Sequence, residues 1–333
     1  MKPNTIIVGD VRDVLDHLTD ASMDCIVTSP PYVGLRDYGH PKQLGAEQSV
    51  DDWVKNLRIV ASGLQRVLTP SGSLWLNIGD SYAAHPREGS PRKSLLLGPQ
   101  RLVLALADDG WLVRNVVVWA KPNPMPSSVT DRLSTTYETI LLLVRSPTYY
   151  FDLDAIRVTP VDKRMRAHQK SSVGYPPASA VPIGGGVDRN HGLDAMKRRG
   201  VSAHPLGKSP GDVWTIPTAG YKGAHFATYP LALAERAVLA GCPERVCVDC
   251  GSPWRRKQQP VNGRMLRFGA LQPSCTCSSW QWRPGIVLDP FMGSGTTALA
   301  AQKHRRDWVG IELNPDYADQ ARTRIAQHNN ITE

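Results

Sequence analysis

Ile286-Val287-Leu288-Asp289-Pro290-Phe291-Met292-Gly293-Ser294-Gly295-Thr296-Thr297 is the stretch that decides the fold. Its apolar, β-branched opening reads as a buried strand, and the following TTALAAQKH reads as a helix. The glycines between them let the backbone approach a ligand at the carboxyl end of a strand, where open α/β sheets bind nucleotide-like molecules. About seventeen residues beyond Gly295, Glu312 closes the next apolar strand, WVGIE. An acid so placed can hold ribose hydroxyls, so the turn and the acid outline an adenosine pocket. No Gly-Lys-Ser/Thr phosphate loop follows, which argues against an NTPase, and the spacing departs from the G-x-G-x-x-G dinucleotide fingerprint.

Working outward, residues 5–8 (TIIV) and 24–28 (DCIVT) are short apolar strands flanking the helical RDVLDHL. A helix is expected over 54–68, then a Pro70-Ser71-Gly72 turn and the strand SLWLNIG, a second helix near 95–108, and the strands WLVRNVVVWA and ETILLLVRS. Alternation of this kind implies a mostly parallel, Rossmann-like α/β sheet. Texture changes after Asp152, where Pro, Gly, Ser and basic residues displace hydrophobic periodicity until about Ala224. The clusters DKRMRAHQK and DAMKRRG in this stretch suit either phosphate contact or a solvated loop. Regular structure resumes with the helix YPLALAERAVLAG and ends with the helix DYADQARTRIAQH.

A second motif, Thr28-Ser29-Pro30-Pro31-Tyr32, directly follows the strand DCIVT. Prolines fix the backbone and leave carbonyl oxygens as rigid acceptors. Such acceptors suit an exocyclic base amine, whose delocalised lone pair becomes nucleophilic when its hydrogens are gripped. Tyr32 can stack on a base turned out of its duplex, a contact of about 1–3 kcal/mol.

Lysine and arginine total 39 against 30 acidic residues, a net charge of +9 that suits a polyanionic partner. No apolar run is long enough to cross a membrane, and MKPNTIIVGD lacks the layout of a signal peptide. A cytoplasmic, prokaryotic or phage-encoded protein is expected. Of six cysteines, Cys247, Cys250, Cys275 and Cys277 form two pairs separated by twenty-four residues, a zinc-ribbon-like spacing. Free thiols or a redox pair are the other readings. Cys25 sits within a strand and reads as a packing residue.

Together the two motifs resemble the permuted beta group of S-adenosylmethionine-dependent DNA amino-methyltransferases, in which the catalytic tetrapeptide precedes the recognition region and the cofactor motif lies near the C-terminus. The resemblance implies a circularly permuted, seven-stranded methyltransferase sheet acting on double-stranded DNA. Its ends are joined by placing residues 5–10 beside the strand that ends at Glu312. It implies a catalytic half at 1–151, a target-recognition region at 152–224, a cofactor-binding half at 225–243 and 285–333, and a zinc-ribbon-like insertion at 244–284. Ser29, Pro30, Pro31 and Tyr32 would be catalytic. Asp289, Phe291, Gly293, Gly295, Thr296 and Glu312 would contact the cofactor, and Asp10 would face its adenine. His225 with Pro230 matches a His-x-x-x-Lys-Pro element beside the methionine moiety, except that Tyr229 replaces the lysine. Trp119 to Pro124 and Thr135 to Glu138 resemble borders of the base pocket, with Tyr137 a wall, and Asn77 and Asp80 are placed to face the same cleft. The four cysteines would hold a structural zinc ion.

Serine at position 29, where adenine-specific relatives usually carry aspartate, favours N4 of cytosine over N6 of adenine. Competing readings are a methyltransferase fold that binds DNA without catalysis, and methylation of RNA or protein, whose enzymes usually show Asn-Pro-Pro-Tyr. A cognate restriction endonuclease would be a further partner; the sequence leaves its existence and the oligomeric state open.

Overall fold

The computed structural model describes residues 2–158, 206–219, 229–261 and 264–332, with side chains left out at 258–268 and 329–332. His225 and both basic clusters of the expected recognition region lie outside the described residues.

The larger of two compact units comprises Met1–Asp152, Gly211–Arg255 and Leu271–Glu333. Its centre is a sheet of β1 (Thr5–Val8), β2 (Met23–Thr28), β3 (Leu68–Ile78), β4 (Leu112–Ala120), β5 (Tyr137–Val144), β6 (Val213–Thr215), β11 (Ile286–Asp289) and β12 (Asp307–Glu312). The spatial order is β1-β12-β11-β2-β3-β5-β4-β6. The first five strands in that order run parallel, β5 is antiparallel to both neighbours, and β6 is parallel to β4. The N-terminal strand thus lies beside the last one, with Thr5 opposite Val309 and Val8 opposite Glu312.

The sheet has eight strands rather than seven, because three residues around Trp214 pair with the edge of β4. So short a strand leaves no periodicity to read. The anticipated Pro70-Ser71-Gly72 turn lies inside β3. Met23 pairs with Leu68 and Cys25 with Ser73, so Asp24 faces four residues of β3 and the surplus bulges out. Proline is tolerated there because a bulge needs no ladder hydrogen bond from it.

Parallel strands buried on both faces lose their alternation, and all six residues of β2 are buried. On one face α1 (Val11–Asp16), α2 (Val50–Val67) and α3 (Gly98–Asp108) supply Leu15, Trp53, Leu57, Leu102 and Leu106 to a core shared with Leu74, Leu141 and Val309. Elsewhere α4 (Leu231–Gly241) and α5 (Thr296–Lys303) pack together through small residues, and α6 (Pro315–Thr332) follows β12. Asp24, almost fully buried, is matched by Arg283 Nη1 at 2.6 Å and by the Ile286 amide at 2.8 Å. Such a carboxylate is tolerated inside only because it is paired. Among the described residues no helix is long and apolar enough to cross a membrane.

A short antiparallel pair, β7 (Val246–Cys247) and β10 (Trp282–Arg283), gathers the cysteine segment. The smaller unit comprises Leu153–Pro210 and Arg256–Ala270. Its described part includes a 3-10 turn at Asp154–Ile156, a bridge between Val158 and Lys208, and most of a hairpin formed by β8 (Arg255–Val261) and β9 (Arg264–Gln272).

Candidate active site

Parallel strands point their carboxyl ends the same way, so the turns after β1, β2, β11 and β12 meet along one edge of the sheet. A cavity of about 590 Å³ opens there, within the size range of small-molecule sites. Asp10, Phe291, Gly293, Thr296 and Glu312 line one part of it; Ser29, Pro30, Pro31 and Tyr32 line another. The two motifs, separated by more than half the chain, therefore face one hollow.

The glycine turn is held from below. Gly293 and Gly295 have φ of +50° and +79°, left-handed values that favour glycine. A Cβ on Gly295 would also meet Ile325 Cδ1 at 3.0 Å. The Gly293 amide donates to Glu312 Oε2 at 2.8 Å, and the Asn314 amide to Oε1 at 2.9 Å. Burial pushes the Glu312 carboxyl up, against these two amide bonds. Arg324 of α6 reaches back to the Ser294 carbonyl at 2.9 Å and hydroxyl at 2.8 Å.

Asp289 and Gly295 do not line the cavity. Asp289 is a buried knot: it accepts from Thr28 Oγ1 at 2.6 Å, Thr297 Oγ1 at 2.5 Å, Tyr229 OH at 3.1 Å and the Phe291 amide at 3.1 Å. Burial raises its pKa, and the two threonine bonds oppose the rise. One carboxylate thus ties the end of β2 to the first turn of α5. Tyr229, where the resemblance anticipated lysine, joins that knot and also bonds to Thr297. Asp10 lines the cavity but is engaged by Arg12, whose amide and Nε both lie 2.9 Å from Oδ1. That pairing holds the Asp10 carboxyl below its ordinary value.

Around the second motif the bonds run between side chains. Tyr32 OH donates to Glu138 Oε2 at 2.7 Å, accepts from Asn77 Nδ2 at 2.9 Å and lies 3.2 Å from Ser29 Oγ. Asn77 Nδ2 also lies 2.7 Å from Glu138 Oε2, and Lys121 Nζ is 2.5 Å from Oε1. Burial, then the Glu138 charge, push the Tyr32 hydroxyl well above its ordinary pKa, so it remains a proton donor. Gly79 leaves room for the ring: a Cβ there would sit 2.7 Å from Tyr32 Cε2. Of the two proline carbonyls, that of Pro31 is already taken by Trp53 Nε1 at 2.8 Å, which corrects the expectation that both point outward as acceptors.

Residues that the sequence placed loosely fall into order. Asn77, Lys121, Tyr137 and Asp80 all line the cavity. Asp80, however, accepts from the amides of Leu97 and Gly98 and so anchors the start of α3. Glu138 is the residue that sequence reasoning missed, having named it only as the edge of a pocket border. Its signal is the pairing of Trp119 with Glu138 across β4 and β5, which no local pattern reveals.

Cys247, Cys250, Cys275 and Cys277 converge away from this cleft, with all four sulfur atoms within 4.8 Å of one another. A tetrahedral zinc–thiolate site, with Zn–S near 2.3 Å, sets its sulfurs about 3.8 Å apart. The donor set and spacing fit that ion.

An open α/β sheet with a glycine turn at one strand end and a Ser-Pro-Pro-Tyr turn at the next, both facing one cavity, is the arrangement of a methyltransferase fold. The family model described as DNA methylase, spanning N6 and N4 methyltransferases, matches residues 23–323, and the chain belongs to that family of DNA-methylating enzymes. It is similar to the Type II methyltransferase M.SmaI of Serratia marcescens, 34% identical, with 96% of this chain and 90% of that protein covered. M.Cfr9I of Citrobacter freundii is also 34% identical, over 96% and 87%. Among solved structures, PvuII DNA methyltransferase (cytosine-N4-specific) superposes with a TM-score of 0.59 at 16% identity, covering 99% of this chain and 92% of the other. A putative DNA modification methylase of Thermus thermophilus, complexed with S-adenosyl-L-methionine, gives 0.53 at 23%, over 97% and 95%.

Proposed function

We propose that this protein methylates N4 of cytosine in double-stranded DNA, taking the methyl group from S-adenosylmethionine, with the target base turned out of the helix. The observation that carries the reading is the single cavity shared by Gly293 and Glu312 with Ser29 and Tyr32. Relatives named as Type II methyltransferases cover nearly the whole chain, and the fold neighbours include one named cytosine-N4-specific and one solved with this cofactor. Ser29 supports cytosine over adenine by the resemblance described above.

Glu312, Asp10, Phe291 and the Gly293 turn, which line one part of the cavity, would hold the cofactor, with the Glu312 carboxylate available to accept from hydroxyls of its ribose. When bound, the cofactor supplies an electrophilic methyl group on a sulfonium. Ser29 Oγ and the Pro30 carbonyl would grip the hydrogens of the target amine and localise its lone pair for attack, and one of the gripped hydrogens would then leave to solvent as the proton that the methylated amine must shed. Tyr32 packs against the base while its hydroxyl stays fixed on Glu138. The lysine–glutamate pair keeps that partly buried wall charged and ordered.

In the same reading the sheet is a circularly permuted methyltransferase sheet, because β1 completes it beside β12. Residues 152–224 are the target-recognition region, and 244–284 form an insertion around a structural zinc ion held by the four cysteines. Four sulfur ligands leave no open coordination position, so the metal's role is to order the insertion. A partner restriction endonuclease belongs to this reading, as the relatives' Type II names suggest.

Mass spectrometry of nucleosides from mixed-sequence duplex DNA incubated with enzyme and S-adenosylmethionine tests the proposal. N4-methylcytosine is expected. N6-methyladenine would transfer the reading to the other amine, and cofactor binding without any methylated nucleoside would reduce the chain to a DNA-binding protein.

A further inference from the structure

The loop between β4 and β5, residues 121–136, presents two of the most exposed large apolar side chains among the described residues, Met125 at 88% and Leu133 at 90%. Only Met125 lines the cavity. The loop is not loosely hung. The Lys121 amide donates to the Thr136 carbonyl at 2.8 Å, closing its base. Asn123 exchanges side-chain bonds with the backbone of Thr218, at 2.8 and 3.2 Å. On the returning limb, Lys93 pairs with Asp131 at 2.7 Å, and Arg132 lies 3.7 Å over the ring of Tyr82.

The sequence here is Lys-Pro-Asn-Pro-Met-Pro, with Met125 between Pro124 and Pro126. Proline fixes its own φ and biases the preceding residue to extended backbone, so the backbone that carries the methionine loses little freedom on binding. An apolar side chain carried on a proline-fixed backbone and exposed at the edge of a cavity marks a binding surface rather than a core. Methionine is unbranched and polarisable, able to slide between flat surfaces.

We infer that Met125 is a wedge that enters the base stack of duplex DNA and fills the space left by the extruded target base. The inference rests on the base-flipping reading given above. Unbranched and apolar side chains inserted between base steps unstack them, and a filled hole keeps the flipped base from returning. Position supports the assignment: Lys121 and Pro124, also on the cavity wall, put the wedge within one loop of the clamp at Ser29. Leu133, equally exposed but off the cavity wall, serves as the internal control.

The test compares Met125→Ser and Leu133→Ser with the parent protein on two duplexes, one with the target base paired and one with it opposite an abasic site. Met125→Ser should lower kcat/KM on the paired duplex about tenfold or more, because extrusion must then proceed unaided. On the abasic-opposed duplex, where little holds the base in, the loss should stay within about twofold. Leu133→Ser should leave both rates within about twofold of the parent. With 2-aminopurine at the target position, the fluorescence rise on binding should shrink for Met125→Ser alone. Equal loss on both duplexes, or loss on neither, overturns the wedge. A parent protein that methylates neither duplex overturns the base-flipping reading first and the wedge with it. Both side chains are solvent-exposed, so neither substitution disturbs the core.

Discussion

On the Gly293 side of the cleft, shape is set by backbone: amides of Gly293 and Asn314 bind Glu312, and left-handed glycines make the turn. On the Ser29 side it is set by side chains, with Tyr32, Asn77, Glu138 and Lys121 bonded to one another across the ends of four strands, β2 to β5. A wall of backbone amides keeps its form when one exposed side chain changes. A wall of mutually bonded side chains does not, because removing one member leaves others unsatisfied at a cost of about 1–3 kcal/mol each. The donor wall should therefore lose affinity in modest steps, and the acceptor wall should lose turnover in large ones.

The sharpest way to break this contrast is Tyr32→Ala. Loss of stacking together with the Glu138 bond should lower kcat about a hundredfold. Cofactor affinity, followed by calorimetry, should stay within about twofold of the parent; a matching drop in affinity would merge the two walls into one unit. Glu138→Gln should follow at about thirtyfold in kcat, since it strands the Lys121 ammonium in a partly buried place. Adding Lys121→Met should cost less than the two single changes combined, and strict additivity of the rates would show that the pair is uncoupled.

On the donor wall, Glu312→Gln should raise the cofactor Kd about tenfold, the weight of one charge-assisted bond. Its pH dependence carries a sign. Burial raises the Glu312 pKa, and the ionised form is the one that accepts hydroxyls, so affinity should weaken as pH falls through a value above the ordinary glutamate pKa of about 4.3. That slope should flatten in Glu312→Gln; an unchanged slope would assign it to another group. Stability runs the other way, since a carboxyl raised by burial favours the folded state at low pH and loses that contribution as pH rises. The smallest effect on either wall is expected from Cys250→Ser, which should remove bound zinc and lower Tm while leaving kcat within about threefold. Metal analysis of the parent protein that finds no zinc would remove the cysteine assignment.

The legible part of the molecule is the part encoded by short stretches of chain. Strand, glycine turn and helix at 286–303, and strand followed by paired prolines at 23–32, are local patterns, because glycine and proline act through the φ angles of their own positions. The placement of β1 beside β12 was implied by the resemblance to the permuted group rather than by any local pattern, and the two strands do pair. Asp289 shows the limit. Its motif was recognised as a cofactor element, yet its carboxylate is spent binding Thr28, 261 residues away.

Sequence alone therefore determined the class of fold, the two turns that face the cavity and the two close cysteine pairs, since alternation, turn residues and pair spacing are all written along the chain. The tertiary structure decided which side chains complete the clamp. Tyr32 and Glu138 lie 106 residues apart and meet only because β5 runs antiparallel between β3 and β4 in one particular register. Slipping that register by a single residue would turn Glu138 to the opposite face of the sheet, and nothing in the local sequence carries that information.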